Sequence, residues 1–420
     1  MSKSGGLANV EEEGFGAAPH ERPVPRISIQ AFCEFPDTGA ALQRAAADRR
    51  LAKAHVTVQL GGLQAAVEHH AGNVTPNLLI VETRLQGKTA VEEIDRLADV
   101  CDPATKVVVV GRVNDVELYR ELMRRGVSEY LVAPLNPLHL IEVISGLYLS
   151  PDAAPIGRVV SFVGARGGAG SSTLSHNVGW CIAERMKINT TIVDLDMPFG
   201  TMGLDFNEEP SQGVADALSA PERLDDVLLD RLLIKATEHL SLLASPAIVD
   251  RNYEADVSAY EAVLDTVRQI TPCVIVDIPH MWSPWVRQTL LGSDDIVIVA
   301  TPDLASLRTT KSFVDMFKLH RANDLPPRLV ITQSGMPRRP EIPVKDFAET
   351  IGIQPSIVLP FEPQLYGAAA NNGQMLMEVQ PRSATADGIR QLAELVTGRP
   401  VQAESKGLPF LSFLTGKKSA

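Results

Sequence analysis

Between Val159 and Ala183 the sequence reads VVSFVGARGGAGSSTLSHNVGWCIA, an apolar run, a glycine-rich turn and a helix-like segment. Gly164, Gly167, Gly168 and Gly170 can take backbone angles that other residues resist. Successive amide N–H groups of such a turn can converge on one anion. A helix opening near Ser171, Ser172 and Thr173 adds unpaired N–H donors and the positive end of its dipole. The chemistry this points to is phosphate binding. Two later apolar runs end in acids. TTIVDLD carries Asp194 and Asp196, and PCVIVDI carries Asp277. A carboxylate at the end of a buried strand is costly unless it is paired or coordinated. These acids turn a bare glycine-rich turn into a candidate phosphate and cation site. Ser172 suits either a hydroxyl ligand to Mg²⁺ or a helix N-cap, and the two roles are compatible. His280, shortly after Asp277, either lines the same site or faces solvent from a loop.

These residues need a scaffold of strands alternating with helices. From Arg26 to about Tyr148, apolar runs at 27–32, 55–60, 78–83, 106–111 and 129–134 alternate with helix-like stretches. From Arg158 the alternation restarts on a larger scale, with runs at 158–164, 190–196, 240–245, 272–278, 295–301 and 328–334. Strand–helix alternation predicts parallel sheets with helices on both faces. The expected fold class is therefore α/β, as two doubly wound parallel-sheet domains. The expected boundaries are a disordered tail at 1–25, a first domain at 26–148, a Pro-containing linker at 149–157, a second domain at 158–398 and a flexible tail at 399–420. Ligands of open α/β sheets bind at the carboxyl ends of the strands, where the glycine turn and the acids fall.

The bulk composition narrows the function. Lys plus Arg is 39 against 51 Asp plus Glu, for a net charge of −12 across 420 residues. That balance argues against broad electrostatic DNA binding. The four cysteines, Cys33, Cys101, Cys181 and Cys273, show no metal-ligand spacing. Cys273 sits in an apolar run and reads as core. The first residues lack the apolar stretch of a signal peptide. No segment approaches the roughly 20 apolar residues of a membrane span. A cytoplasmic protein is expected.

The five units of the first domain resemble the receiver domain of two-component response regulators. That family places an acidic pair after its first strand, a phosphoacceptor Asp after the third, a Thr or Ser after the fourth and a Lys after the fifth. Here those positions fall near Ala31 and Phe32, on Glu82, on Gly111 and on Ala133. The resemblance implies a receiver-like domain without phosphotransfer chemistry. Glu82 is either a fixed mimic of a phosphorylated Asp or a retired acceptor on a protein-docking module.

The second domain resembles the ParA/MinD superfamily, whose deviant Walker A loop reads roughly KGGxGK followed by Ser or Thr. The matching run is Arg166-Gly167-Gly168-Ala169-Gly170-Ser171-Ser172-Thr173, with Gly164 just before it. The resemblance implies ATP and Mg²⁺ as ligands. It places Ser172, Asp194 and Asp277 around the metal and Asp196 on the attacking water. Gln333 and Pro360 fall where the family contacts the base. The signature Lys that crosses a nucleotide-sandwiched dimer is replaced by Arg166, whose planar fork suits phosphate. The Lys that meets the β- and γ-phosphates is replaced by Ser171. Losing one charge-assisted hydrogen bond of roughly 1.5–3 kcal/mol would weaken nucleotide binding by about ten- to hundredfold.

A degenerate receiver ahead of such a domain resembles the CpaE/TadZ family, which acts in assembly and polar placement of type IVc (Flp/Tad) pili. The resemblance implies a nucleotide-dependent homodimer that meets Tad/Flp pilus-assembly proteins or polar landmark proteins. It implies recruitment to the cell pole or the inner-membrane pilus machinery, with no nucleic acid partner. Three readings stand open: a nucleotide-binding scaffold with weak or absent hydrolysis, an active ATPase using Arg166, and a docking protein that binds no nucleotide. The tail GLPFLSFLTGKKSA at 407–420 is a floppy end, a docking segment or a weak membrane contact.

Overall fold

The structure, a computed structural model, describes residues 23–148, 156–250, 253 and 255–401. The first domain alternates strictly: β1 (Ser28–Cys33), α1 (Pro36–Ala46), β2 (His55–Leu60), α2 (Gly62–His70), β3 (Leu78–Glu82), α3 (Gly87–Val100), β4 (Lys106–Gly111), α4 (Val116–Arg124), β5 (Glu129–Val132) and α5 (Pro137–Tyr148). The five strands form one parallel sheet in the order β2-β1-β3-β4-β5. Side chains that alternate along each strand feed two cores, one per face. Ile29, Ala31, Leu78 and Ile80 enter one, and Phe32, Leu79 and Val81 enter the other. The first core also takes Val24, a residue assigned to the tail by sequence. Its N–H donates to the carbonyl of Arg50 at 2.7 Å, so the domain begins slightly earlier than composition suggests.

The second domain runs β6 (Arg158–Gly164), α6 (Ser171–Met186), β7 (Thr190–Asp194), α7 (Met202–Asp205), α8 (Val214–Ser219), α9 (Asp226–Leu232), β8 (Ile234–Lys235) and β9 (Leu240–Leu243). It continues through α10 (Val257–Ile270), β10 (Cys273–Ile278), α11 (Pro284–Gly292), β11 (Asp295–Ala300), α12 (Leu304–His320) and β12 (Arg328–Ser334). It ends with α13 (Val344–Ile351), β13 (Ile357–Pro360), α14 (Pro363–Asn372), α15 (Leu376–Val379) and α16 (Ala384–Thr397). The sheet has eight strands in the order β13-β12-β11-β6-β10-β7-β9-β8, parallel throughout except for the β8–β9 pair. Six of these strands follow the apolar runs. The other two, β8 and β13, escape the period because one has two residues and the other carries a proline at its edge.

The central strands are apolar on both faces, as a sheet covered by helices on both sides requires. Val274, Val276 and Ile278 of β10 enter one core, and Cys273 and Ile275 enter the other. The expectation of a core thiol at Cys273 is met: it is buried and free, and burial pushes its pKa up to about 12. α6 is buried almost all round, from Leu174 to Ala183, between the sheet and α16. A helix so enclosed holds its first turn rigidly at the sheet edge. No helix among the described residues is long and apolar enough to cross a membrane. The tails at 1–22 and 402–420 and most of the linker lie outside the described residues.

Candidate functional site

β6 and β10 are neighbours, and β7 flanks β10. Register sets Asp277 opposite Phe162 on one side and opposite Asp194 on the other. Residues more than 80 positions apart in the sequence thus meet at the carboxyl edge of the sheet, beside the turn that leaves β6. The glycines are used by the turn. Gly168 and Gly170 have φ of +78° and +87°, values that a side chain disfavours. A Cβ on Gly164 would stand 2.9 Å from the carbonyl oxygen of Arg166. α6 starts directly after Gly170 with no side-chain cap, so its first N–H groups face the turn. Thr332 of β12 donates its hydroxyl to the carbonyl of Ala169 at 2.7 Å, and Gln333 Nε2 donates to that of Gly168 at 2.9 Å. His280 Nδ1 lies 3.1 Å from the carbonyl oxygen of Gly164, so this histidine braces the turn.

The acids are buried without enough partners. Asp194 is fully buried. It accepts the Ser245 hydroxyl at 3.0 Å and the N–H of Asp196 at 2.9 Å. Gly200 presses on the same pair, since a Cβ there would lie 1.8 Å from Ser245 Oγ and 2.2 Å from Asp194 Oδ2. Burial, then the charge of Asp277, lifts the Asp194 pKa to about 7. Burial also raises Asp277, and His176 and Ser172 draw it back only in part. Asp277 Oδ1 and Ser171 Oγ are buried with no hydrogen-bond partner. Asp196 is half-buried, accepts the N–H of Phe199 at 3.2 Å, and is raised by burial.

Sequence reasoning missed His176. It sits at i+4 from Ser172 on α6, one turn below the cradle and fully buried. That spacing was its only signal. Asp205 Oδ2 lies 2.7 Å from its Nδ1, and Asp277 Oδ2 lies 3.8 Å from its Nε2. Burial works to lower the His176 pKa, but the Asp205 hydrogen bond and the charges of Asp277 and Asp205 outweigh it and raise it. Asp303 was missed too. Arg166 is half exposed and donates from Nη1 to Asp303 Oδ2 at 3.0 Å. Burial works against ionised Asp303, yet the Ser306 N–H, the Thr301 hydroxyl and Arg166 hold its pKa low.

Gln333 and Pro360 line a cavity of about 390 Å³ next to the cradle, with Gly170, Thr173, Phe361 and Tyr366. Its walls suit a flat apolar ring. Gln333 is not free there, because its Oε1 also accepts Arg339 Nη1 at 3.2 Å. The loop residues, the acids, Gln333 and Pro360, all singled out in the sequence, lie together at one edge of the sheet.

A nucleotide with Mg²⁺ fits this arrangement. The orphaned Asp277 oxygen and the two buried acids, both with raised pKa, call for a cation. Among the described residues no group of three or more His, Cys, Asp or Glu could hold a metal alone. That suits Mg²⁺, which takes one or two carboxylates and completes its shell with phosphate oxygens and water.

The first domain's corresponding edge differs. Glu82, at the end of β3, is 1% exposed. It accepts the N–H groups of Glu34 and Phe35 at 2.9 and 3.0 Å and the Thr38 hydroxyl at 2.7 Å. Sequence reasoning set the acidic-pair positions at Ala31 and Phe32, but β1 runs on to Cys33 and Glu34 follows it. Glu34 is paired with Arg84, and Asp37 with Arg112. At Gly111 a Cβ would collide with the Tyr130 hydroxyl, 2.0 Å away.

No family model matches the sequence. A crystal structure of the pilus assembly protein CpaE from Caulobacter crescentus is 52% identical to this chain. It covers 31% of this chain and 98% of that one, with a TM-score of 0.30. A ParA family ATPase from Chlorobium tepidum is 24% identical over 57% of this chain and 98% of its own, with a TM-score of 0.51. The septum site-determining protein MinD complexed with Mg-ADP from Pyrococcus horikoshii is 19% identical over 57% and 96%, with a TM-score of 0.50. These two likenesses speak to fold alone, and that fold is the ParA/MinD one. The CpaE likeness rests on its residue identity, and by that identity over nearly all of the relative this chain belongs to the CpaE family of pilus assembly proteins.

Proposed function

We propose that this chain is a nucleotide-controlled scaffold for pilus assembly that binds ATP with Mg²⁺ and hydrolyses it weakly or not at all. The observation that carries this reading is the buried Asp277–Asp194 pair, with an unpartnered Asp277 oxygen beside an uncapped glycine cradle. The backbone N–H groups of Gly167 to Thr173 hold the phosphates. Ser172 and Asp277 hold the cation, with Asp194 behind it, and Asp196 orients water. The cation supplies neutralisation of phosphate charge. Thr173, Gln333 and Pro360 wall the base.

Weak turnover follows from Ser171. Its hydroxyl offers no positive charge to the transferring phosphoryl group, and stabilising that charge is most of what such sites do. Arg166 is the remaining cation of the loop, and Asp303 occupies it. In a nucleotide-bound homodimer Arg166 leaves Asp303 for the phosphates of the second copy. The receiver-like domain, with Glu82 tied down, serves docking to pilus-assembly or polar landmark proteins. Recruitment of a cytoplasmic protein to the cell pole or to the inner-membrane pilus machinery is the corresponding cellular role. A net charge of −12 weighs against nucleic acid as a partner.

The test is calorimetry of ATP with Mg²⁺ on the whole chain and on Asp277→Ala. Saturable binding that the substitution removes, with little phosphate release, is the expected result. No binding at millimolar ATP would sink this reading and leave a docking protein without nucleotide. Brisk turnover that Arg166→Ala abolishes would favour the active ATPase instead.

A further inference from the structure

The two domains meet at the amino-terminal edge of the eight-stranded sheet, and the seam is ionic. Arg49 and Arg50, in a 3-10 turn after α1, reach across to the second domain. Arg49 pairs with Asp294 at 3.1 Å and with Asp324 at 2.8 Å, and Arg50 also pairs with Asp324. Arg321 takes Asp324 at 2.8 Å, and Arg268 takes Asp294 at 2.9 Å. Each of these carboxylates therefore already serves at least two arginines.

Beside this seam lies a cavity of about 530 Å³. Cavities of roughly 300–1,000 Å³ at domain junctions are the common setting of small-molecule sites. Six cationic side chains line this one: Arg49, Arg50, Arg158, Lys318, Arg321 and Arg328. They face three carboxylates, those of Asp294, Asp295 and Asp324, which leaves an excess of three positive charges. Asp295 is taken by Arg328 at 2.7 Å. No carboxylate is left for Arg158, whose Nε is buried without a hydrogen-bond partner. Lys318 reaches the cavity from the exposed face of α12 and has no ion pair among the described residues. Burial, and after it the neighbouring Arg49 charge, lowers the pKa of Arg321.

A half-buried guanidinium with an unpartnered, buried Nε, in a cavity of net positive charge, lacks an anion. Guanidinium groups offer paired N–H donors that match phosphate and carboxylate oxygens, and a phosphate group presents more charged oxygens at one centre than a carboxylate does. We propose that this interdomain cavity binds a small phosphate-bearing anion of two or more negative charges. Arg158 and Lys318 are its free ligands, and Arg49 and Arg50 contribute from the first domain. The site is separate from the cradle. Arg158 opens β6 and Gly164 closes it, so the two lie at opposite ends of one strand, about 20 Å apart at roughly 3.3 Å per residue. An anion held from both sides would tighten the clasp between the domains.

Inorganic pyrophosphate, titrated without magnesium into the full-length chain carrying Gly168→Val, is the probe. That substitution strains the cradle at its positive φ and removes it as a competing site. Binding should persist. Adding Arg158→Ala should weaken it by at least about tenfold, as loss of a charge-assisted contact implies. Adding Lys318→Ala, at an exposed position, should weaken it by a smaller factor without affecting folding. Citrate at the same pH tests the preference for phosphate over carboxylate, and pyrophosphate should bind the tighter of the two. The proposal is overturned if Gly168→Val alone abolishes binding. It is equally overturned if neither added substitution changes the titration, or if citrate matches pyrophosphate. Should Arg158→Ala fail to fold, Lys318→Ala decides between these outcomes.

Discussion

The carboxyl edges of the two parallel sheets carry an acid at a comparable place, and they treat it in opposite ways. Glu82 is buried and satisfied, since two backbone N–H groups and a threonine hydroxyl take its oxygens. Asp277 is buried and short of partners, with one oxygen orphaned and a second carboxylate opposite it. The first site has become part of the fold, because the protein itself supplies what a ligand would. The second keeps an electrostatic deficit that only something from outside can relieve. The contrast separates a retired site from a kept one on physical grounds, within one chain.

The largest effect that could break this contrast is on stability. Glu82→Ala strands the buried Thr38 hydroxyl and two part-buried N–H groups, and leaving a buried donor unsatisfied costs about 1–3 kcal/mol. Denaturant unfolding followed in the first domain should show that loss, with Glu82→Gln costing less. A neutral result would mean that the carboxylate is not structural. Next comes Ser171→Lys. Restoring a charged donor to the cradle should tighten ATP by about ten- to hundredfold, read by calorimetry. An unchanged affinity would mean that the loop does not hold phosphate.

The sharpest contrast is one of sign. Asp277→Asn removes a charge that burial opposes more than His176 favours it, and that helps to raise Asp194, so the nucleotide-free chain should become more stable. The sign follows from Asp194, whose pKa rises from an ordinary 3.8 to about 7. Its contribution is fully present below about pH 4 and is lost as pH rises through 7. Thermal melts across pH 4–8 should slope downward for the parent and less steeply for Asp277→Asn, in which burial still raises Asp194. A fall in stability on substitution would put Asp277 in the same class as Glu82.

The smallest expected effect lies at the seam that joins the two regions. Burial would raise the Asp324 pKa, but the charges of Arg49 and Arg321 prevail and hold it at about 2. A depressed carboxylate stabilises above its unfolded pKa and loses that contribution as pH falls through the folded one. The clasp should therefore hold at pH 5 and loosen between about pH 4 and 2. Small-angle scattering would report the opening, and Asp324→Asn should shift it toward neutral pH.

Much of this was legible in the sequence. The βα alternation announced both sheets, because side chains on doubly covered strands must be apolar wherever they point. The cradle was legible because a phosphate loop is a local device. Its glycines, its serines and its helix start lie within one short stretch, and hydrogen bonds between neighbours in the chain build it. The acids were legible one at a time, as charges ending apolar runs.

Their pairing was not legible. That Asp277 faces Asp194, that His176 sits beneath both, and that Asp303 holds Arg166 depend on strand order and helix placement. So do the occupants of Glu82 and the arginine seam around Asp294 and Asp324. The sequence by itself determined the element types and the chemical identity of each group, because these depend on near neighbours and backbone preference. Only the tertiary structure decided which charges are satisfied and which are left wanting, because burial and partnership are set by residues far away in the chain.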